Sequence, residues 1–123
     1  MQGEADDLRR VHVLLVDDHE VSRVACRALL RTEGLEVVAD VSASANALDV
    51  AEVLRPDVAV VDIGPGDPYA LDLALRLRAL PSPPTVMLTS STDPSAFGAR
   101  LDGFGFVPKA DICAEQILRA TQS

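Results

Sequence analysis

Residues 13–20 read VLLVDDHE, four apolar residues followed directly by two adjacent carboxylates, Asp17 and Asp18. A short apolar run without polar alternation is typical of a strand that is buried on both faces of a sheet. Adjacent carboxylates repel each other, and burying either one without a partner is costly. The stretch therefore predicts a buried strand whose acidic end lies either beside a positive charge or in solvent.

Outward from this stretch, short apolar runs alternate with segments of helical periodicity. Strands are predicted at residues 11–16, 36–41, 58–62, 85–89 and 104–107. Helices are predicted at residues 20–33, 44–54, 69–80 and about 93–101, with a last helix that Asp111 caps. Strands alternating with helices indicate a parallel sheet covered on both faces, because crossover connections are right-handed. The predicted fold class is α/β, a doubly wound five-stranded parallel sheet in a (βα)5 three-layer sandwich.

The first predicted helix carries apolar residues at helical spacing. This stripe comprises Val21, Val24, Ala25, Ala28 and Leu29. Because a surface helix buries its apolar stripe, we expect these side chains to face the core.

The composition of the chain fits one domain. We expect a tail at residues 1–10 and a single domain at residues 11–121, since 123 residues with 48% hydrophobic content supply one core. The net charge of -8 and the 3% aromatic content argue against direct nucleic-acid binding by this chain. The sequence has two cysteines without metal-type spacing, no apolar leader, and no apolar run near the roughly 18 residues that span a bilayer. We therefore expect a cytoplasmic protein without membrane contact.

Polar residues that carry chemistry follow several of the predicted strands. The first strand ends on Asp17 and Asp18, the third on Asp62 and the fourth on Thr89, and Lys109 follows the fifth. Ligands of open parallel sheets bind at these carboxyl ends. If the first and third strands are neighbours, three carboxylates meet and need a counter-charge. A hard cation such as Mg²⁺, with Lys109 as a second positive charge, would make a site for an anion such as a phosphoryl group.

Each of these residues also has an ordinary structural interpretation. The acidic pair could be an exposed loop, Asp62 could form a turn, and Lys109 could be a surface lysine. Two histidines are further candidates as phosphate carriers or metal ligands. We expect His12, inside the first strand, to be packed or exposed at an edge, and His19 to be a solvated loop residue that could tune the charge of the acidic pair.

Four motifs in order, VLLVDDHE, PDVAVVDIGPGD, VMLTSS and GFVPK, resemble the receiver domain of two-component response regulators. The resemblance covers roughly residues 11–120 and implies a flavodoxin/CheY-like fold. The segments DDHE, RALL and LRPDVAVVDI are most similar to receivers of the NarL/LuxR type, which precede a helix-turn-helix output domain. This sequence contains no such domain, so we expect either an excised receiver or a stand-alone one.

The resemblance implies a metal-dependent phosphorylation site. Asp62 would accept a phosphoryl group from a sensor histidine kinase. Asp18, Asp62 and the carbonyl of Gly64 would hold Mg²⁺ directly, and Asp17 would act through water. The chain would phosphorylate itself and lose the group slowly, without turnover of a substrate.

The resemblance also implies a switch. Thr89 would hydrogen-bond the phosphoryl group, Lys109 would pair with it, and Phe106 matches the aromatic position whose rotation accompanies activation. The output would be a change in the face formed by the fourth helix, the fifth strand and the fifth helix, with a homodimer as one possible result.

Two other functions remain open from the sequence. The loop after Asp62 is one residue shorter than the family pattern, which favours an interaction or dimerisation module that does not use phosphorylation. A Mg²⁺-dependent phosphatase with an aspartyl nucleophile uses a similar site, but such enzymes place a second Asp two residues after the nucleophile. Here that position is Gly64.

Overall fold

The computed structural model describes residues 11–42, 46–64, 67–101 and 103–122, so the predicted tail at residues 1–10 lies outside the described part. The strands are β1 His12–Val16, β2 Glu36–Val41, β3 Val58–Asp62, β4 Thr85–Ser90 and β5 Gly105–Pro108. The α-helices of the described residues are α1 Glu20–Thr32, α2 Ala47–Leu54, α3 Pro68–Arg78 and α4 Ala114–Gln122. Two 3₁₀ segments complete the order, Pro94–Leu101 and Lys109–Asp111. No helix within these ranges is both long and apolar enough to cross a membrane.

The five strands form one parallel sheet in the order β2-β1-β3-β4-β5. The strand order confirms the predicted doubly wound α/β fold and the predicted adjacency of β1 and β3. Val16 pairs with Val61, so the residue after β1 lies beside Asp62 at the end of β3. Asp62 in turn pairs with Thr89 of β4. The register therefore brings the acidic ends of two strands and a threonine to one edge of the sheet.

Apolar side chains alternate between the two faces of the sheet and form two cores. Leu14 and Val16 point toward a core that α2 and α3 cover. Val13 and Leu15 point toward a second core that α1 and α4 cover. All four of these β1 side chains are buried, which explains why the strand lacks polar alternation.

The predicted orientation of α1 is wrong. Val21 is 85% exposed, Leu29 is 45% exposed and Val24 is 40% exposed, and the other two members of the stripe, Ala25 and Ala28, are also exposed. Leu30 is the buried side chain of this helix, with Cys26 packed against the same core. The face of the helix that packs against the sheet is therefore not the face that its apolar periodicity indicated.

The predicted fourth helix is a pair of 3₁₀ turns. Gly98, within Pro94–Leu101, has φ 59° and ψ -140°, which breaks the segment at its centre. This conformation belongs to glycine and is outside the helical region, so no continuous α-helix forms there. Phe97 still anchors the segment in the core beside α3.

Asp111 does not cap the last helix as predicted. It ends the short 3₁₀ turn that follows β5, and α4 begins three residues later at Ala114. The Ala114 N–H donates instead to Glu33 Oε1 at 2.8 Å, so a carboxylate just after α1 satisfies the start of α4.

Candidate functional site

Lys109 joins the acidic ends of β1 and β3. Its Nζ lies 2.9 Å from Asp17 Oδ2 and 2.9 Å from Asp62 Oδ2. The three side chains are only 8%, 12% and 19% exposed for Asp17, Asp62 and Lys109. The predicted counter-charge is therefore present as a largely buried ammonium between two carboxylates.

The pKa values of the two carboxyl groups shift in opposite directions. Burial opposes ionisation of Asp17, but the His19 N–H and Lys109 hydrogen bonds outweigh it, so the pKa of Asp17 lies below its ordinary value. Burial and the charge of Asp17 outweigh the contact with Lys109 at Asp62, so the pKa of Asp62 is raised. Burial lowers the pKa of Lys109, but the two carboxylates overcome this and raise it. The single ammonium of Lys109 stabilises the ionised form of Asp17, but it is not enough to offset the burial of Asp62 and the charge of Asp17 beside it.

Asp18 and Gly64 lie on the solvent side of this cluster. Both line a cavity of about 580 Å³, together with Asp62 and Lys109. The Gly64 carbonyl accepts a hydrogen bond from the Asp67 N–H at 3.1 Å and keeps a second lone pair for another partner. Residues 65–66 of the shortened loop lie outside the described residues.

Thr89 contributes a buried hydroxyl next to Asp62. Its side chain is 2% exposed, and its Oγ1 has no hydrogen-bond partner among the described residues. A buried polar group without a partner costs about 1–3 kcal/mol, so such a group points to a ligand. The hydroxyl is placed for an acceptor that binds at the carboxylates.

Phe106 lies on β5, where it pairs with Leu88 of β4. Its side chain is half-buried and packs against the core that α2, α3 and Phe97 form. The structure thus places it two strands away from Asp62, with β4 between them, and its ring lies in the apolar core and not among the polar groups of the site.

The sequence-based prediction missed an arginine cluster behind the acidic pair. The Arg23 Nη1 donates to the Asp17 carbonyl at 2.8 Å, and its Nε donates to Asp40 Oδ2 at 3.1 Å. Arg27 donates to Asp40 Oδ1 at 2.9 Å. Asp40 follows the same logic as the predicted site residues, since it lies near the carboxyl end of β2. The sequence signal that could have predicted this pairing is the presence of two arginines one helical turn apart on α1.

His19 was predicted to be a loop residue, and it lies directly over the cluster. Its backbone N–H donates to Asp17 Oδ1 at 2.9 Å. Its ring Nδ1 is 3.2 Å from the same oxygen and 3.5 Å from Asp62 Oδ2. The ring is nevertheless 76% exposed, so His19 is both solvated and in contact with the carboxylates.

One compositional signal for Lys109 was also overlooked. It is the only lysine in the chain, and the other ten basic residues are arginines. A compact ammonium fits between Asp17 and Asp62, where a planar guanidinium would not.

Comparison with known proteins places this arrangement in a family. The chain is a doubly wound α/β domain with carboxylates and a lysine at the carboxyl edge of its sheet, the edge at which open α/β sheets bind their ligands. Residues 13–120 match the family model described as the response regulator receiver domain. The chain therefore belongs to the receiver-domain family of two-component response regulators.

Two bacterial regulators illustrate how similar the chain is to known proteins in sequence. The chain is 37% identical over 116 residues to DevR/DosR, a DNA-binding transcriptional activator of Mycobacterium tuberculosis, covering 91% of this chain and 53% of that protein. It is 34% identical over 108 residues to the transcription regulator BvgA of Bordetella pertussis, covering 85% of this chain and 52% of BvgA. The chain thus spans about half the length of these curated relatives.

Solved structures agree with the fold. The signal receiver domain named NarL from Mycobacterium tuberculosis superposes with a TM-score of 0.70 at 30% identity, covering 93% of this chain and 94% of that one. A two-component response regulator of the LuxR family from Aurantimonas sp. has a TM-score of 0.72 at 24% identity, covering 90% of this chain and 81% of that one, which supports the fold alone.

Proposed function

We propose that Asp62 accepts a phosphoryl group from the phosphohistidine of a sensor histidine kinase. One observation carries this assignment: Lys109 Nζ contacts both Asp17 and Asp62 at 2.9 Å, beside a Thr89 hydroxyl that has no hydrogen-bond partner in the described part of the chain. A bound phosphoryl group would give this hydroxyl the acceptor that it lacks. The two-component family to which the chain belongs supports the same assignment.

The chemistry needs positioning and charge more than it needs acid–base groups. An Asp62 oxygen forms a bond to phosphorus while the nitrogen–phosphorus bond of the donor breaks, and the electron pair stays on the imidazole nitrogen, which takes a proton. Lys109 and Thr89 then hold phosphoryl oxygens by an ion pair and a hydrogen bond. Water later hydrolyses the acyl phosphate, so the chain returns to its first state without turnover of a separate substrate.

The donor set around the pocket fits Mg²⁺. Asp18, Asp62 and Gly64 offer hard oxygen donors beside an open cavity, and the carboxylate of Asp17 lies next to them on the other side of Lys109. We assign Asp18, Asp62 and Gly64 as direct ligands and Asp17 as a ligand through water. When bound, the ion would offset the charge of the carboxylates and of the incoming phosphoryl group.

We further propose that phosphorylation acts on the face formed by the 3₁₀ segment Pro94–Leu101, β5 and α4. Thr89 would move toward the phosphoryl group, and Phe106, packed in the adjoining core, would respond through packing. Pairing of two copies through this face is one output, to be tested by sedimentation with and without phosphorylation. With this role the chain would act in the cytoplasm, and any DNA binding would belong to a separate output domain.

The proposal is tested by intact mass after incubation with Mg²⁺ and acetyl phosphate. We expect a gain of one phosphoryl group in the wild-type chain and none in Asp62→Asn. Asp72→Asn is a matched control, because Asp72 is an exposed carboxylate on α3 that pairs with Arg76 outside the pocket. Full labelling of Asp62→Asn would refute the phosphoacceptor assignment. No labelling of the wild-type chain at any Mg²⁺ concentration would favour a binding module that does not use phosphorylation.

A further inference from the structure

His19 places a nitrogen among the carboxylate oxygens of the site. Its Nδ1 lies 3.2 Å from Asp17 Oδ1 and 3.5 Å from Asp62 Oδ2. One ligand atom from each of the three residues lies within 4.8 Å of the other two. The ring hydrogen-bonds Asp17 through this nitrogen, and the roles proposed above for the pocket use only oxygen donors.

The separation of His19 from Asp62 suits two ligands of a common metal ion. Atoms bound at about 2.1 Å to one ion lie about 3.0 Å apart in octahedral geometry and about 3.4 Å apart in tetrahedral geometry. The 3.5 Å between Nδ1 and Asp62 Oδ2 is close to this interval, and Asp62 is a direct ligand in the assignment above. The ring is 76% exposed, so it can turn toward an ion in the cavity without losing buried contacts.

A second observation indicates that the cluster is built for a ligand. The Thr89 hydroxyl beside Asp62 is buried and lacks a partner among the described residues. Asp17, Asp62, Thr89 and Lys109 also line one small cavity behind the carboxylates. The buried hydroxyl therefore points to a ligand at the Asp62 end of the sheet, over which the His19 ring lies.

We infer that His19 is a nitrogen ligand that makes this pocket a mixed nitrogen–oxygen site for a first-row transition-metal ion such as Mn²⁺. Imidazole nitrogen binds such ions well, whereas Mg²⁺ prefers oxygen donors. The His19 ring would therefore favour Mn²⁺ over Mg²⁺ at a pocket that accepts both. The inference rests on the proposed metal-dependent function and adds to it the class of ion that the pocket selects.

The test detects the nitrogen directly. The full chain without an affinity tag is loaded with one equivalent of Mn²⁺ at pH 8, and electron spin echo envelope modulation reports ¹⁴N nuclei bonded to the ion. The chain has two histidines, so His12→Gln is a matched control for His19→Gln. His12 lies at the start of β1 and pairs with Glu36, whereas the site lies beyond the end of that strand.

We expect nitrogen modulation in the wild-type chain and in His12→Gln, and none in His19→Gln. The dissociation constant for Mn²⁺, read from the signal of the free ion, should rise by about tenfold in His19→Gln. The constant for Mg²⁺, measured by competition, should change less than about twofold because glutamine keeps an oxygen at this position.

Other outcomes separate this inference from the proposed function. Bound Mn²⁺ without nitrogen modulation in the wild-type chain, or modulation that persists in His19→Gln, overturns the role of His19 and leaves phosphorylation of Asp62 intact. Failure of both Mn²⁺ and Mg²⁺ to bind overturns the metal site as a whole. In that case the acetyl phosphate experiment would also fail to label Asp62.

Discussion

At the scale of single residues, Lys109 determines the electrostatics of the site. One ammonium serves two carboxylates, Asp17 and Asp62, and the pKa of Asp62 is raised while that of Asp17 is lowered. The arrangement leaves negative charge that the protein alone does not neutralise. A site of this kind accepts a cation first and a phosphoryl group after it.

The first prediction concerns Asp62 in the absence of metal. Because folding raises its pKa, the folded chain binds this proton more tightly than the unfolded chain does, and ionisation of Asp62 lowers stability as the pH rises through the folded pKa. Asp62→Asn should therefore raise the free energy of unfolding at pH 8, and the gain should shrink as the pH falls toward the ordinary pKa of an aspartate. Thermal unfolding in EDTA measures this, and a gain that does not vary with pH would contradict it.

The second prediction concerns Thr89. Valine has nearly the same shape and puts a methyl group in place of a hydroxyl that finds no hydrogen-bond partner within the described ranges. Thr89→Val should stabilise the unphosphorylated chain by about 1 kcal/mol in urea denaturation, because a buried polar group without a partner is removed. Thr89→Ser, which keeps the hydroxyl and loses a methyl group, is the control and should be destabilising. Destabilisation by valine would show that the hydroxyl is already satisfied.

At the scale of elements, α1 shows that periodicity and burial can disagree. Its apolar stripe faces solvent because Arg23 and Arg27, on the side near the sheet, pair with Asp40, and Leu30 occupies the core. The arginine side chains can pack their apolar stems while their charged ends pair with a carboxylate. An ion-pair cluster on this side of the helix is incompatible with a purely apolar contact face.

A pair of substitutions one residue apart tests this orientation. Leu30→Ala removes a fully buried side chain and should lower the free energy of unfolding by about 3 kcal/mol. Leu29 is 45% exposed, and Leu29→Ala should cost less than about 1 kcal/mol. Urea denaturation of the two variants decides the matter. Equal losses would mean that the helix is rotated relative to this structure.

The broken 3₁₀ segment is tested by two glycines. Gly98 has φ 59° and Gly105 does not have a positive φ, yet an added Cβ would meet nothing within 4 Å at either position. Gly98→Ala should therefore destabilise by about 1–2 kcal/mol through backbone strain alone. Gly105→Ala should change stability by less than about 0.5 kcal/mol. A neutral effect of Gly98→Ala in thermal unfolding would show that the segment adopts another conformation.

At the scale of the whole molecule, the site joins parts of the chain that are distant in sequence. The ion pairs of Lys109 tie β1 and β3 to the turn after β5, and the Glu33 contact ties α1 to α4. A ligand at the carboxyl edge therefore contacts residues from both halves of the sheet. Binding there should stabilise the domain as one unit.

Addition of Mg²⁺ tests this coupling. At about ten times its dissociation constant, an ion that binds only the folded chain adds about 1.4 kcal/mol, which corresponds to an increase of about 5 °C in Tm. We expect this increase in the wild-type chain and a much smaller one in Asp18→Asn, with each variant compared with its own Tm in EDTA. Equal increases in both would exclude Asp18 as a ligand.

The fold class and most of the candidate site could be predicted from the sequence. Apolar runs alternating with helical segments indicated a parallel sheet, and in such a sheet Asp17, Asp62 and Thr89 must share the carboxyl edge. These inferences depend on local sequence pattern and on the order of strands and helices, and both can be read from the sequence. The resemblance to receivers then assigned roles to the same residues.

The tertiary structure alone decided the features that depend on contacts between distant segments. It turned the apolar stripe of α1 to solvent, capped α4 with Glu33 in place of Asp111, and set the ring of His19 over two carboxylates. Local spacing cannot encode these outcomes, because each depends on contacts with side chains from another element of the fold. Glu33 and Ala114 are 81 residues apart, and only the packing of α1 beside α4 brings them within hydrogen-bond distance.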